Sequence, residues 1–307
     1  MTDAAQETIP GSRPSALLEE LLQALETPQP GDAVASFCAR HRLAPPKFGG
    51  AWKLYFGDSS TQGAVLHLGT GFGDEFLAVR GADRRATRRD VALLSSRTHA
   101  TIVRRRLQMA GIDQVALAVC RDPARLPLAD ASIATAIVGH AELACFGLQP
   151  ERNAEPERPI AAELRRVLAP GGKVLLGLNS SALGRLLARS AQLVRRRATP
   201  AESLDSLIRG ALATETAPSG RQMLRALRAI GFEEVRCIAP LPSSDRPRVA
   251  LRLDEPELVQ YVLSRLLRRN TLSARVGRLA AATLARAGLL RWILADLVVE
   301  LRLADEA

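Results

Sequence analysis

The sequence predicts an open α/β fold, with a doubly wound, mostly parallel sheet and helices on both faces. Three observations carry that expectation. The apolar run AVLHL at 64–68 breaks into glycines at every second position, Gly69, Gly71 and Gly73. Strand-like and helix-like segments alternate from there to residue 179. The helical pattern IAAELRRVL then passes through Pro170, Gly171 and Gly172 straight into the apolar strand KVLLGLN. A β-α-β-α order of this kind needs crossovers, and crossovers make parallel sheets with covered faces.

Taken in order, residues 1–14 are small and polar, with Pro10 and Pro14, and are expected to be disordered. ALLEELLQALET at 15–26 carries leucines at helical spacing, and DAVASFCARHRL reads as a second short helix started by Asp32. The two helices, with the stretch up to residue 60, form a predicted N-terminal helical cap. Trp52, Tyr55 and Phe56 in that stretch read either as packing for the cap or as a ligand-facing lid. The core is expected over 61–240. Its strands are placed at 64–68, 85–90, 114–120, 133–139 and 173–179, with EEVRCIA at 233–239 as the sixth. Helices are expected directly after the glycine turn, between Asp90 and Gly111, at 160–168 and at 220–232. Residues 241–291 read as a mostly helical, arginine-rich insertion. In the closing segment, 292–307, ADLVVELRL suits a strand as well as a helix.

Composition narrows the function classes. The 307 residues suffice for a sizeable core, and 47% hydrophobic with 24% charged content is that of an ordinary globular chain. The formal net charge is +10, almost all of it arginine, since lysine occurs only at Lys47, Lys53 and Lys173. Such a balance suits an anionic partner, or simply arginine bias. Aromatics at 4% supply few stacking platforms, which makes nucleic acid the less favoured partner. Cys38, Cys120, Cys145 and Cys237 are scattered singly, so neither a metal site nor a disulfide framework is expected. There is no visible secretory signal and no apolar run long enough to span a membrane, which makes the cytoplasm the default compartment. The basic amphipathic stretch at 257–291 leaves peripheral membrane contact open. Oligomeric state is not legible.

The glycine turn carries most of the chemistry. Strand, glycine turn and helix make the usual nucleotide-binding corner of an open α/β sheet. The spacing is G-x-G-x-G, not the dinucleotide G-x-G-x-x-G, and no Gly-Lys-Ser/Thr phosphate loop is present. That favours a nucleoside ligand.

Four segments resemble the class I S-adenosylmethionine-dependent methyltransferases, over residues 60–240 and the last strand. VLHLGTGFG is similar to the family's first motif, V-L-D-x-G-x-G-x-G. Asp90 follows Gly69 by 21 residues, where the family places an acidic residue near the end of its second strand. RDPARLPLADASIATAIV and AAELRRVLAPGGKVLLGLN resemble the segments leading into the fourth and fifth strands. The resemblance implies a Rossmann-like fold, with N-terminal helices and a helical insertion before the last strand. It implies S-adenosyl-L-methionine as cofactor, met by His67, Gly69, Thr70, Gly71, Gly73, Asp90, Val91, Asp122, Pro123 and Gly139. Glycines there admit backbone contact with the cofactor. Asp90 would accept from the ribose hydroxyls or else cap a helix. Asp122 would accept from the adenine amino group or else serve as a turn residue. His140, after the fourth strand, is the candidate base, and a structural histidine is the alternative.

His67 departs from the family's acidic residue, and Ala134 from a frequent aspartate. The reaction implied is in-line methyl transfer to O, N or C of a small or medium-sized metabolite, such as occurs in secondary metabolism. A lipid-linked acceptor is also open. A scaffold that keeps the fold without the reaction, or an RNA methyltransferase, are the alternatives. IVGHAEL lacks the Asn/Asp-Pro-Pro-aromatic run of amino-methylating nucleic-acid enzymes, which argues against the latter.

Overall fold

A computed structural model describes residues 13–41, 63–68, 89–94, 97–112, 114–120, 122, 124–138, 157–179, 220–241, 249–259, 261, 283–284, 290 and 296–304. Two N-terminal helices, α1 (Arg13–Glu26) and α2 (Pro30–Arg40), precede the sheet. Leu21, Leu25, Val34 and Phe37 bury their shared face. Pro30 opens α2, where its missing N–H costs nothing, and Asp32 sits in the first turn rather than ahead of it.

The sheet follows in chain order: β1 (Val65–Leu68), β2 (Asp90–Leu94), helix α3 (Arg97–Met109), β3 (Val115–Val119) and β4 (Ile133–Val138). Helix α4 (Glu157–Val167) leads to β5 (Leu168–Asn179), and helix α5 (Gly220–Ala229) to β6 (Phe232–Leu241). β7 (Val249–Arg252) and β8 (Asp296–Leu303) complete it. The eight strands lie in the order β3-β2-β1-β4-β5-β8-β6-β7. The first five pair in parallel, while β8 runs antiparallel between β5 and β6. The expected doubly wound, mostly parallel sheet is therefore present.

Helices cover both faces. Ala100, Val103 and Leu107 of α3 pack on Ala92 and Leu94, on one face of the sheet. On the other, Ile160, Ala161 and Leu164 of α4, with Met223 and Leu227 of α5, meet Leu66, Leu68, Ala136, Val138, Val174 and Leu176. β1 is buried on both faces, so VLHL reads as a continuous apolar run broken only by His67. Each leucine fully buried there contributes about 1.5–3 kcal/mol.

Two expectations are corrected, and one left open is decided. The second strand is Asp90–Leu94 rather than 85–90, and its helix begins at Arg97. Valine, alanine and two leucines alone cannot tell strand from helix, and their burial in mid-sheet decides for strand. Residues 241–291, read as mostly helical, include a further strand, β7, paired to β6 from Ile238–Arg252 to Leu241–Val249. The closing segment is a strand, held by β5 and β6 on its two sides. Trp52, Tyr55, Phe56 and most of 257–291 lie outside the described residues. Among the described residues, no helix is long and apolar enough to cross a membrane.

The β3-to-β4 connection has no helix among its described residues. Its fold comes from side chains of α4 instead. Glu163 accepts the Leu126 N–H at 2.8 Å. Arg166 donates to the Leu126 carbonyl at 3.0 Å, the Leu128 carbonyl at 2.9 Å, the Asp130 carboxylate and both oxygens of Glu163. That fork holds Glu163 below the usual carboxylate range and pushes the Arg166 guanidinium up. A crossover without helical hydrogen bonds needs such anchors for its backbone groups.

Candidate functional site

In a doubly wound sheet, a crevice opens at the carboxyl ends of the strands where the winding reverses. Here the chain winds outward from β1 through β2 to β3, then restarts on the other side at β4. Leu68 and Val138, the last residues of β1 and β4, are register partners. The chain therefore leaves the sheet after Leu68 and after Val138 from adjacent positions on one rim. Gly69, Thr70, Gly71, Gly73, Pro123, Gly139 and His140 themselves lie outside the described residues.

Asp122 lies just past the carboxyl end of β3, on the same rim. Its Oδ1 accepts the Ala124 N–H at 3.0 Å, and its carbonyl accepts the Arg125 N–H at 3.0 Å. The side chain thus forms the turn that the sequence allowed as its alternative role, and it remains exposed. Cys120 follows the strand directly and donates its thiol to the Asp122 carbonyl at 3.2 Å. Burial pushes that thiol up, which favours its protonated form.

Asp90 and Val91 do not reach this rim. Asp90 is the first residue of β2, in register with Val65, so it stands at the amino end of a parallel strand. The crevice opens at the other end, beyond Leu94, where the sequence continues with Ser95 and Ser96. The placement of Asp90 near a strand's end came from reading 85–90 as the strand, and it fails with that reading.

Asp90 instead meets His67. His67 pairs with Ala92, so parallel register puts His67 and Asp90 on the same face, two residues apart along the ladder. His67 Nε2 lies 3.5 Å from Asp90 Oδ1, and both side chains are fully buried. A carboxyl group buried this deeply requires polar neighbours, and the imidazole is one of them. Sequence reading noted the two residues separately; only the strand register brings them together.

Ala134 also lies away from the crevice, being the second residue of β4. Its N–H donates to the Ala64 carbonyl at 2.9 Å. Gly63, at φ +89°, approaches so closely that an added Cβ would sit 2.8 Å from the Ala134 methyl. The departure at Ala134 is therefore packing at the amino rim. His41 bonds Glu20 at 2.8 Å within the helical cap.

No protein-family model matches the chain, and no curated protein sequence is similar to it. Solved structures with a similar fold include a glycopeptide N-methyltransferase, MtfA, complexed with S-adenosylmethionine, at 15% identity, 84% of this chain, 95% of that one and a TM-score of 0.47. A geranyl diphosphate methyltransferase in complex with the same cofactor is 16% identical over 92% of this chain and 94% of that one, with a TM-score of 0.42. The [4+2]-cyclase SpnF is 17% identical over 81% and 79%, with a TM-score of 0.43. At these identities and scores the likeness bears on neither reaction nor substrate. The strand order and the switch point between β1 and β4 stand on the chain's own geometry: a Rossmann-like, doubly wound fold.

Proposed function

We propose that the protein is an S-adenosylmethionine-dependent methyltransferase that moves a methyl group to O, N or C of a small or medium-sized metabolite. The observation that carries this reading is the adjacency of the β1 and β4 ends, Leu68 beside Val138. It supports a single crevice entered by the G-x-G-x-G turn from one side and by Gly139 and His140 from the other. The Asp122 turn flanks it on the β3 side. In this reading the glycines meet the methionine and ribose parts, and Asp122 with Pro123 meets the adenine. The cofactor supplies an activated methyl group, and the chain's task is to hold the acceptor in line with it. His140 is the candidate to take a proton from the acceptor.

A second reading, a methyltransferase-like scaffold with weak or no activity, is favoured by one observation. The carboxylate expected at the ribose, Asp90, stands at the wrong end of β2, and the residues after Leu94 are serines. A neutral hydroxyl gives a hydrogen bond about half as strong as a carboxylate's. Calorimetry with S-adenosylmethionine and its demethylated product separates the two. Binding of both, weakened at least tenfold in Gly71→Val with the fold intact, supports the enzyme. No binding of either at millimolar concentration overturns it.

A further inference from the structure

β3 is an edge of the sheet, and its sequence, VALAV, contains no charge and no proline. Natural edge strands are normally blunted by such residues, by bulges or by a covering element. Here Val119 and Ala116 are exposed, and Val115, Leu117 and Ala118 are only half-buried. The Cys120 N–H donates to the Leu94 carbonyl at 2.8 Å, which fixes the phase of the ladder. Ala116 and Ala118 therefore turn their backbone groups toward β2, and Val115, Leu117 and Val119 turn theirs outward. No described residue bonds those outward groups.

The surroundings of this edge specify what fits it. On one face, α3 carries four arginines and no acid. Val103 and Leu107 face the sheet, while Ile102 points toward α1 and α2 in their shared cluster. Helical spacing puts Arg97 and Arg104 on the opposite flank, toward the outer side of β3, and both are exposed. On the other face the β3-to-β4 connection brings no helix among its described residues, so Ala116 and Ala118 are left beside the edge.

We propose that β3 receives an extended segment of a partner protein as a ninth strand, acidic on the side toward α3 and apolar on the side toward Ala116 and Ala118. Main-chain hydrogen bonds to Val115, Leu117 and Val119 supply the affinity, and the α3 arginines choose the charge. A second copy of this chain is disfavoured as occupant, because a two-fold pairing of β3 with β3 brings Arg97 and Arg104 toward their own counterparts. This inference does not depend on the reaction proposed above.

The test uses the full chain with two capped hexapeptides, one alternating glutamate with valine and one alternating lysine with valine. Hydrogen exchange across residues 113–120 is expected to slow at least tenfold with the glutamate peptide and to be unchanged with the lysine peptide. Leu117→Pro removes an outward N–H and no bond to β2, so it keeps the fold and abolishes the effect. The Arg97→Glu, Arg104→Glu double variant, with an unaltered circular dichroism spectrum, reverses the preference between peptides. Equal or absent protection by both peptides overturns the proposal. So does concentration-dependent dimerisation that protects the same amides without any peptide.

Discussion

Replacing Arg166 by alanine tests the idea that α4 holds the helix-free crossover in place. The side chain makes contacts at 2.7 and 2.9 Å to Glu163, 2.9 Å to the Leu128 carbonyl and 3.0 Å to the Leu126 carbonyl, besides Asp130. Asp130 is 77% exposed, so water replaces that partner and it adds little. The two carbonyls and Glu163 are partly buried, and hydrogen bonds to a charged group contribute roughly 1.5–3 kcal/mol each before such losses. They act as one unit, so their contributions do not add. The expected loss is about 2–3 kcal/mol, read from the urea midpoint at unchanged slope. Arg166→Lys keeps the charge without the fork and should lose about half as much. A loss below about 0.5 kcal/mol for the alanine variant would refute the reasoning, since interactions that matter cannot be that cheap to remove.

Three further outcomes follow from the same geometry. Asp90→Ala should lower stability by about 2–4 kcal/mol, because it strips a buried polar partner from His67, while leaving cofactor affinity of the folded protein unchanged. A tenfold affinity loss at an unaltered urea midpoint would instead return Asp90 to the ribose. Glu163 is held below its ordinary value of 4.5 by Arg166, so its contribution is complete above that pH and fades as the pH falls through the lower folded value. Wild type should accordingly exceed Glu163→Gln in stability at neutral pH, by a margin that narrows below pH 4.5; a margin constant with pH would remove the ion pair from the account. Gly172→Ala places a Cβ 2.7 Å from the Ala169 carbonyl oxygen and should cost about 1–3 kcal/mol in chemical denaturation, whereas a neutral effect would mean that the turn yields freely.

Much of this protein was legible without coordinates. Alternation of apolar runs with amphipathic ones determines a parallel sheet covered on both faces, because each segment has to bury its apolar side. The helix-to-strand change around Pro170, Gly171 and Gly172 is legible too, although β5 already begins at Leu168 and takes in all three; Gly171 holds φ +72°. The G-x-G-x-G run directly after β1 is equally legible, although those glycines lie outside the described residues.

Register is what the sequence could not settle. DVALL is short and apolar, so its period is ambiguous, and a shift of four residues moves Asp90 from the crevice rim to the opposite end of the sheet. The partnership of Asp90 with His67, and of Glu163 and Arg166 with the 126–130 turn, joins residues 23 and 36 to 40 positions apart in the chain. Local propensity carries no information about such pairs, since packing of one strand beside another creates them. By itself, then, the sequence determined the kind of fold and where β1 gives way to the G-x-G-x-G run. The tertiary structure alone decided that Asp90 meets His67 within the sheet and that Glu163 and Arg166 hold the 126–130 turn, because packing brings together residues that are distant in the chain.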